Sequence, residues 1–128
     1  MDFSGKVAIV TGGANGIGRA VSLGFAQRGA RVVIVDRDLG AGEALAAEIG
    51  RAALFRQANV TRSAEVQAYV QAALEAFGRI DCFHNNAGIE GTVAPTAEYD
   101  EAMFDAVMDV NVKGVFLGLR HVLPVMIR

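Results

Sequence analysis

The chain alternates between short runs of apolar residues and longer segments with helical periodicity. Four apolar runs are predicted to be strands, at residues 7–10, 32–35, 52–58 and 80–84, with the third the weakest of them. Continuous apolar runs of this length are typical of strands that a parallel sheet buries on both faces.

Helices are predicted between and after these strands. They cover residues 17–25, 43–49, 63–77 and about 99 to the end of the chain. The third has the clearest apolar face; Thr61 or Ser63 is expected to cap it, with Glu65 in the first turn, where the helix dipole favours an acid. Gly114 and Gly118 lie four residues apart on the last helix and are expected to allow close packing.

This alternation of strands and helices predicts an α/β fold with a parallel sheet and right-handed crossovers. We predict a Rossmann-type, doubly wound sheet. In such a sheet the chain reverses direction after the third strand, so the fourth strand lies beside the first and the order is 3-2-1-4. A length of 128 residues fits a single domain.

Composition narrows the function classes without choosing one. The chain is 52% hydrophobic and 20% charged, with a net charge of −2 and no basic stripe, so we expect a soluble protein that does not bind nucleic acid. Cys82 is the single cysteine. The N-terminus makes a poor signal peptide, and no apolar stretch approaches the ~20 residues of a membrane span. We therefore expect a cytoplasmic protein without a membrane partner.

A glycine cluster, residues 11–18, lies between the first predicted strand and the first predicted helix. Glycines make a tight turn and remove the side chains that would keep a phosphate from the backbone N–H groups at a helix N-terminus. The spacing is Gly-x3-Gly-x-Gly, which differs from the Gly-x-Gly-x-x-Gly of the general dinucleotide fingerprint. An ordinary glycine-rich turn is the alternative at this point.

Asp36 ends the second predicted strand, 18 positions after Gly18. The fingerprint places an acid about 20 residues on, where its carboxylate accepts hydrogen bonds from ribose hydroxyls. The alternative is a solvated turn, since Asp36-Arg37-Asp38 is also turn-like. A carboxylate here would repel a 2′-phosphate, which favours NAD over NADP.

An Asn-Asn-Ala-Gly turn, residues 85–88, follows the fourth predicted strand. Because the first and fourth strands are expected to be neighbours, this turn and the glycine cluster should meet at the switch point of the sheet, where such folds bind ligands. Asparagines can hold a loop rigid through bonds to the backbone, although Asn/Gly turns are also common without any function.

Together these motifs resemble the short-chain dehydrogenase/reductase family. The residues that carry the resemblance are Thr11, Gly12, Gly16, Ile17, Gly18, Asp36, Asn85, Asn86, Ala87, Gly88 and Asn111, in the family's order and spacing. The resemblance covers essentially the whole chain. It implies an NAD-dependent oxidoreductase that transfers a hydride between nicotinamide and an alcohol or ketone, and a homo-oligomeric parent protein, dimer or tetramer.

The resemblance also implies a role for each motif residue. A first set would line the pyrophosphate and the adjoining ribose: Gly12, Asn15, Gly16, Ile17 and Gly18. Asp36, with Arg37 beside it, would hold the adenosine ribose. Members that use NADP often carry a basic residue where this chain has Asn15, which again implies NAD.

The remaining motif residues would surround the other parts of the cofactor. Asn59 and Val60 stand where many members have Asp-Val beside the adenine, and an Asn there can still accept a hydrogen bond through its side-chain carbonyl. A further set would run beside the cofactor: Asn86, Ala87 and Gly88. Asn111 resembles the asparagine that holds a water in the family's proton relay; a polar residue in a helix is the alternative.

The residues that complete the family's chemistry are not found. Neither Tyr69 nor Tyr99 is followed four residues later by lysine, and the three serines all precede the fourth predicted strand. We therefore expect residues 1–128 to be the N-terminal, NAD-binding part of a longer domain, inactive alone. A non-catalytic NAD-binding or regulatory module is the rival. Another Rossmann-type enzyme, such as a methyltransferase, leaves the Asn-Asn-Ala-Gly turn and Asn111 unexplained.

Overall fold

The computed structural model of the chain describes residues 1–128 and confirms the predicted parallel sheet. Its strands are β1 (Val7–Thr11), β2 (Arg31–Asp36), β3 (Ala53–Gln57) and β4 (Cys82–Asn85), in the order β3-β2-β1-β4. All three strand pairs are parallel. The predicted order 3-2-1-4 is therefore confirmed, and the predicted bounds of each strand differ from the observed ones by one or two residues at one or both ends.

Five α-helices flank the sheet: α1 (Gly16–Gln27), α2 (Leu39–Ile49), α3 (Ser63–Phe77), α4 (Glu101–Met108) and α5 (Gly114–Ile127). A π-helical turn, Asp109–Lys113, joins α4 to α5, so the predicted final helix is continuous but locally widened. A short 3-10 turn, Thr96–Glu98, precedes α4.

The predicted caps of α3 are wrong. Arg62 stands at the N-cap position and neither neighbour supplies a capping side chain. The hydroxyl of Thr61 donates to Asn59, and that of Ser63 pairs with His121 on α5 at 2.9 Å. The Thr61 hydroxyl is therefore used within its own loop, and the Ser63 hydroxyl in a long-range contact. Glu65 does lie in the first turn, as predicted.

Alternating side chains of the central strands enter two separate apolar layers. On one face, Ile9 and Val33 pack with α3 and α5; on the other, Val10 and Ile34 pack with α1 and α2. All four side chains are fully buried. Burial on both faces explains why these strands are continuous apolar runs rather than alternating ones.

The two glycines of α5 allow the close packing that was predicted. A β-carbon at Gly114 would lie 2.8 Å from Val60, and one at Gly118 would lie 2.9 Å from the ring of Phe83. Real β-carbons do not come this close to other heavy atoms. The last helix can therefore approach both β4 and the loop after β3 only because these positions are glycine.

The final helical segment is apolar on more than one side. By length and composition alone Glu101–Ile127, in which an 18-residue stretch has a mean hydropathy of 1.3, would be long and apolar enough to cross a membrane. Leu117 and Val122 lie in the same buried layer as Ile9, as in the core helix of a layered domain. Large apolar side chains on the rest of the segment are exposed: Phe104, Met108, Val112, Phe116, Leu119, Leu123, Met126 and Ile127.

Candidate cofactor site

A cleft of about 410 Å³ lies at the carboxyl ends of the four strands. The parallel register places these ends side by side, with Thr11 of β1 opposite Val35 of β2 and Asn85 of β4. The lining residues are Gly12, Asn15, Gly16, Val35, Asp36, Arg37, Ala58, Asn59, Val60, Asn86, Ala87, Gly88, Ile89 and Val110. A cleft thus lies at the predicted switch-point location of the site.

The turn between β1 and α1 depends on glycine for its backbone shape. Gly12 and Gly16 have φ of +62° and +53°, a region that residues with a β-carbon rarely adopt. Gly18 contributes differently, because a β-carbon there would overlap the carbonyl of Gly12. The first turn of α1 contains no acidic residue and has no side-chain cap. Its N–H groups therefore remain available to an anion at the positive end of the helix.

Two buried hydroxyl groups hold this turn in place. The Thr11 hydroxyl oxygen accepts hydrogen bonds from the backbone N–H groups of Asn86 at 2.8 Å and Ala87 at 3.0 Å. The Ser22 hydroxyl donates to the carbonyl of Gly13 at 3.0 Å. Both side chains are fully buried. Thr11 thus joins the turn after β1 to the turn after β4.

The Asp36 carboxylate lies at the end of β2 with acceptor capacity left over. One oxygen accepts from the Ala14 N–H at 3.1 Å and the other from the Asp38 N–H at 3.0 Å. A carboxylate has about four acceptor sites, so it can still accept from two ligand hydroxyls. Arg37 lines the same cleft and forms no ion pair.

Asp38 is committed to local structure. It caps α2 by accepting from the Ala41 N–H at 3.0 Å, and it accepts from the Asn15 amide at 3.3 Å. These bonds, the first more than the second, hold the pKa of Asp38 below its ordinary value. The contact with Asn15 links the glycine turn to the loop that carries Asp36.

Asn59 follows β3; its backbone carbonyl accepts from the Arg62 N–H at 3.1 Å, and three further hydrogen bonds involve its side-chain amide oxygen and its own N–H. Its side-chain amide oxygen accepts from the Thr61 N–H at 3.0 Å and from the Thr61 hydroxyl at 2.7 Å. Its own N–H donates to Glu65 at 2.9 Å. Asn59 and its neighbour Val60 line the cleft just after β3, the outermost strand on that side of the sheet.

The Asn-Asn-Ala-Gly turn is fixed by two of its side chains in addition to the Thr11 hydroxyl. The Asn85 amide donates to the carbonyl of Val115 at 2.9 Å, which ties β4 to α5. The Asn86 amide donates to the carbonyl of Thr11 at 3.3 Å. Because these amides bind backbone within the protein, the turn presents its own backbone to the cleft.

Asn111 lies in the π-helical turn and clamps the loop that follows. Its amide oxygen accepts from the Ile89 N–H at 2.8 Å, and its amide nitrogen donates to the Ile89 carbonyl at 2.8 Å. This side chain is not among those that line the cleft. The side chain of Asn111 therefore positions Ile89, while the water-holding role stays a prediction.

Of the twelve residues predicted to bind the cofactor, ten line the cleft, and Ile17 and Gly18 do not. Ile17 is 73% exposed on the first turn of α1. Gly18 serves the packing of α1 on the turn, as described above. The lining residues that sequence reasoning missed are apolar ones in no motif: Val35, Ala58, Ile89 and Val110. Thr11 belongs to the predicted motif, but its hydrogen bonds to the turn after β4 were not predicted. The bond from Ser22 to the glycine turn was not predicted either.

Neither tyrosine of the chain faces this cleft. Tyr69 is buried in the core layer on α3, and burial raises its pKa. The Tyr99 hydroxyl accepts from the Thr92 N–H at 3.3 Å. The structure contains no group of three or more metal-binding side chains. The cleft thus has the features of a nucleotide site and contains no tyrosine to exchange a proton.

Comparison with known proteins gives these features a context. A family model described as short chain dehydrogenase matches residues 6–128. Levodione reductase of Leifsonia aquatica is 45% identical over an alignment of 129 positions that covers 97% of this chain and 48% of that protein.

Two solved structures also resemble this chain in fold and in sequence. The 3-ketoacyl-(acyl-carrier-protein) reductase of Brucella melitensis, complexed with NADH, superposes with a TM-score of 0.94 at 43% identity over 97% of this chain and 51% of that one. A short chain dehydrogenase/reductase of Burkholderia phymatum in complex with NAD gives 0.94 at 36% identity over 98% and 46%. The chain spans about half the length of the curated relatives it matches.

Proposed function

The chain belongs to the short-chain dehydrogenase family of oxidoreductases, and from this premise we propose that it binds NAD(H) in the cleft at the strand ends. The observation that carries the proposal is the pairing of a bare glycine turn with the Asp36 carboxylate on the adjacent strand. A glycine turn at a helix N-terminus can bind a phosphate, and a carboxylate at this position can accept hydrogen bonds from the two hydroxyls of a ribose. NADH and NAD accompany the two structures named above.

Each part of the cleft would hold a different part of the dinucleotide. The turn from Gly12 to Gly16 would hold the pyrophosphate through backbone N–H groups. Asp36 would accept from the adenosine ribose, and the loop containing Asn59 would lie beside the base. Nicotinamide, when bound, supplies a hydride acceptor or donor. The backbone of residues 86–88, fixed by Thr11, would line its side of the cleft.

We propose that NAD is preferred to NADP. The remaining acceptor sites of Asp36 suit two hydroxyl groups, and its charge opposes a 2′-phosphate. Asn15, at the glycine turn, is neutral and carries no compensating charge. Arg37 is the one cationic side chain in the cleft lining. Its attraction for a 2′-phosphate opposes the repulsion from Asp36, and the difference between the two sets the strength of the preference for NAD.

The parent protein is proposed to exchange a hydride between nicotinamide and a small alcohol or ketone. The residues that exchange a proton with such a substrate are proposed to lie outside residues 1–128, since neither tyrosine of the chain faces the cleft. The chain by itself is then inactive. We further propose a cytoplasmic, homo-oligomeric parent; the exposed apolar side chains of α4 and α5 support an assembled form.

Nucleotide binding is tested by titrating the chain with NADH and following nicotinamide fluorescence, with calorimetry for NAD. We expect saturable binding that Gly16→Ala weakens, because a β-carbon at a φ of +53° strains the turn. Gly24→Ala is the matched control, since Gly24 is an ordinary residue within α1. Failure of the unmutated chain to bind either nucleotide would refute the proposal.

A second experiment separates the enzyme from a non-catalytic NAD-binding module. Residues 1–128 and the longest encoded parent are each incubated with NAD and a panel of alcohols, and NADH is followed at its absorption band. Turnover by the parent alone is expected. Binding without turnover in both would favour the regulatory module, whereas turnover by residues 1–128 would refute our location of the chemistry.

A further inference from the structure

The orientation of the Asn59 amide is fixed by its neighbours. Thr61 N–H can only donate, so the Asn59 atom 3.0 Å from it must be the oxygen. The Thr61 hydroxyl donates to the same oxygen at 2.7 Å. A third bond, from the Asn59 N–H to Glu65, fixes the backbone on which the side chain stands.

The Asn59 amide nitrogen, by contrast, has no partner within the chain. Asn59 lines the cleft, so the polar groups that it can still offer a ligand are the two N–H donors of this nitrogen. Its oxygen is saturated, because two hydrogen bonds occupy both lone pairs. The only function of this amide toward a ligand is therefore donation.

Order along the sheet indicates which part of a ligand would meet these donors. The glycine turn follows β1, Asp36 ends β2, and Asn59 follows β3, which is the outermost strand on that side. With a pyrophosphate on the turn and a ribose on Asp36, the group beyond the ribose at the end of β3 is the purine base.

We infer that Asn59 determines base specificity by donating to position 6 of the purine, so that the cleft accepts a 6-oxo purine at least as well as adenine. The inference rests on the proposed function. Adenine carries a 6-amino donor, which would face the donors of Asn59, whereas hypoxanthine carries a 6-oxo acceptor. One hydrogen bond gained or lost changes a dissociation constant by up to about tenfold.

The test compares dissociation constants for NAD and nicotinamide hypoxanthine dinucleotide by calorimetry, in the unmutated chain and in Asn59→Asp. The substitution keeps an oxygen for Thr61 and replaces the donor with an acceptor of the same size. We expect the unmutated chain to bind the hypoxanthine form as tightly as NAD or more tightly. Asn59→Asp should shift the ratio by about tenfold toward NAD.

Asn15→Asp is the matched control, because it makes the same chemical change in the same cleft but beside the pyrophosphate turn. It should weaken both nucleotides alike and leave their ratio unchanged. A ratio that is the same in Asn59→Asp and the unmutated chain overturns the inference. So does a tenfold preference for NAD in the unmutated chain, which needs no variant. Binding of neither nucleotide overturns the proposed function itself.

Discussion

Removing the Asp36 carboxylate tests nucleotide recognition at the group on which it most depends. Two of its acceptor sites are occupied by the N–H groups of Ala14 and Asp38, which leaves two for ribose hydroxyls. Asp36→Ala removes both ligand acceptors and the charge. Asp36→Asn removes the charge but keeps one oxygen, so the two variants separate hydrogen bonding from repulsion.

The expected magnitudes follow from those two effects. A hydrogen bond to a charged group contributes about 1.5–3 kcal/mol, so losing two should raise the Kd of NAD by about a hundredfold or more. A unit negative charge 4 Å from the carboxylate is repelled by about 4 kcal/mol at an effective dielectric constant near 20. Removing this repulsion should tighten NADP binding, because Arg37 forms no ion pair within the chain and can attract the 2′-phosphate.

The assay is the Kd of NADH and of NADPH by fluorescence titration at low salt. Asp36→Ala should bring the two values together, and Asp36→Asn should do so with a smaller loss of NADH affinity. Asp38→Asn is the control, since Asp38 carries the same charge but caps α2. Tighter binding of NADPH than NADH by the unmutated chain would refute the reasoning, as would the same change of preference in Asp38→Asn.

Three further variants test the framework around the cleft. Thr11→Val should lower the free energy of unfolding by about 2 kcal/mol in urea, because two N–H groups lose their acceptor, while Thr11→Ser should change it little. Asn111→Leu should speed hydrogen exchange at the amide of Ile89, whose acceptor it removes; unchanged exchange would contradict the clamp. Arg79 holds the pKa of Asp81 below its ordinary value, mainly by hydrogen bonding. The stabilisation is therefore present above about pH 4 and lost as the pH falls through the lowered pKa, so Asp81→Asn should flatten the acid limb of a stability–pH curve. An unaltered acid limb would show that this pair does not contribute to it.

The sheet could be predicted from the sequence because each strand identifies itself locally. The run from Val7 to Val10 is apolar throughout, which only a strand buried on both faces needs, and the order then follows from the doubly wound topology. Caps were harder to predict. Thr61 and Ser63 have the right residue types for capping α3, but one bonds to Asn59 and the other to a histidine 58 residues away.

Much of the site could be predicted for the same reason, since its glycines, Asp36 and asparagines directly follow predicted strands in a recognisable order and spacing. The apolar part of the lining could not, because Val35, Ala58, Ile89 and Val110 look like any other core or helix residue until the strand ends are placed side by side. The function of Asn111 was predicted as water binding, and its bonds to Ile89 appear only when a loop and a helix are brought together.

The hydrogen bonds divide the polar residues in and around the cleft into two groups with different roles. The side chains of the first group form hydrogen bonds to the protein backbone and so hold turns, loops and helices in place. Its members are Thr11, Ser22, Asn85, Asn86 and Asn111.

The second group keeps polar atoms free toward the cleft, and it lies at the ends of β2 and β3: Asp36, Arg37 and Asn59. Since a buried donor or acceptor that loses its partner costs about 1–3 kcal/mol, changes in the first group should damage the fold and binding of any nucleotide together. Substitutions in the second group alter mainly which ribose substituent or base is accepted, provided that they keep an oxygen for the N–H groups that Asp36 and Asn59 also bind within the chain. Cofactor preference in this chain can therefore change through three side chains without any change in the turns that hold the phosphates.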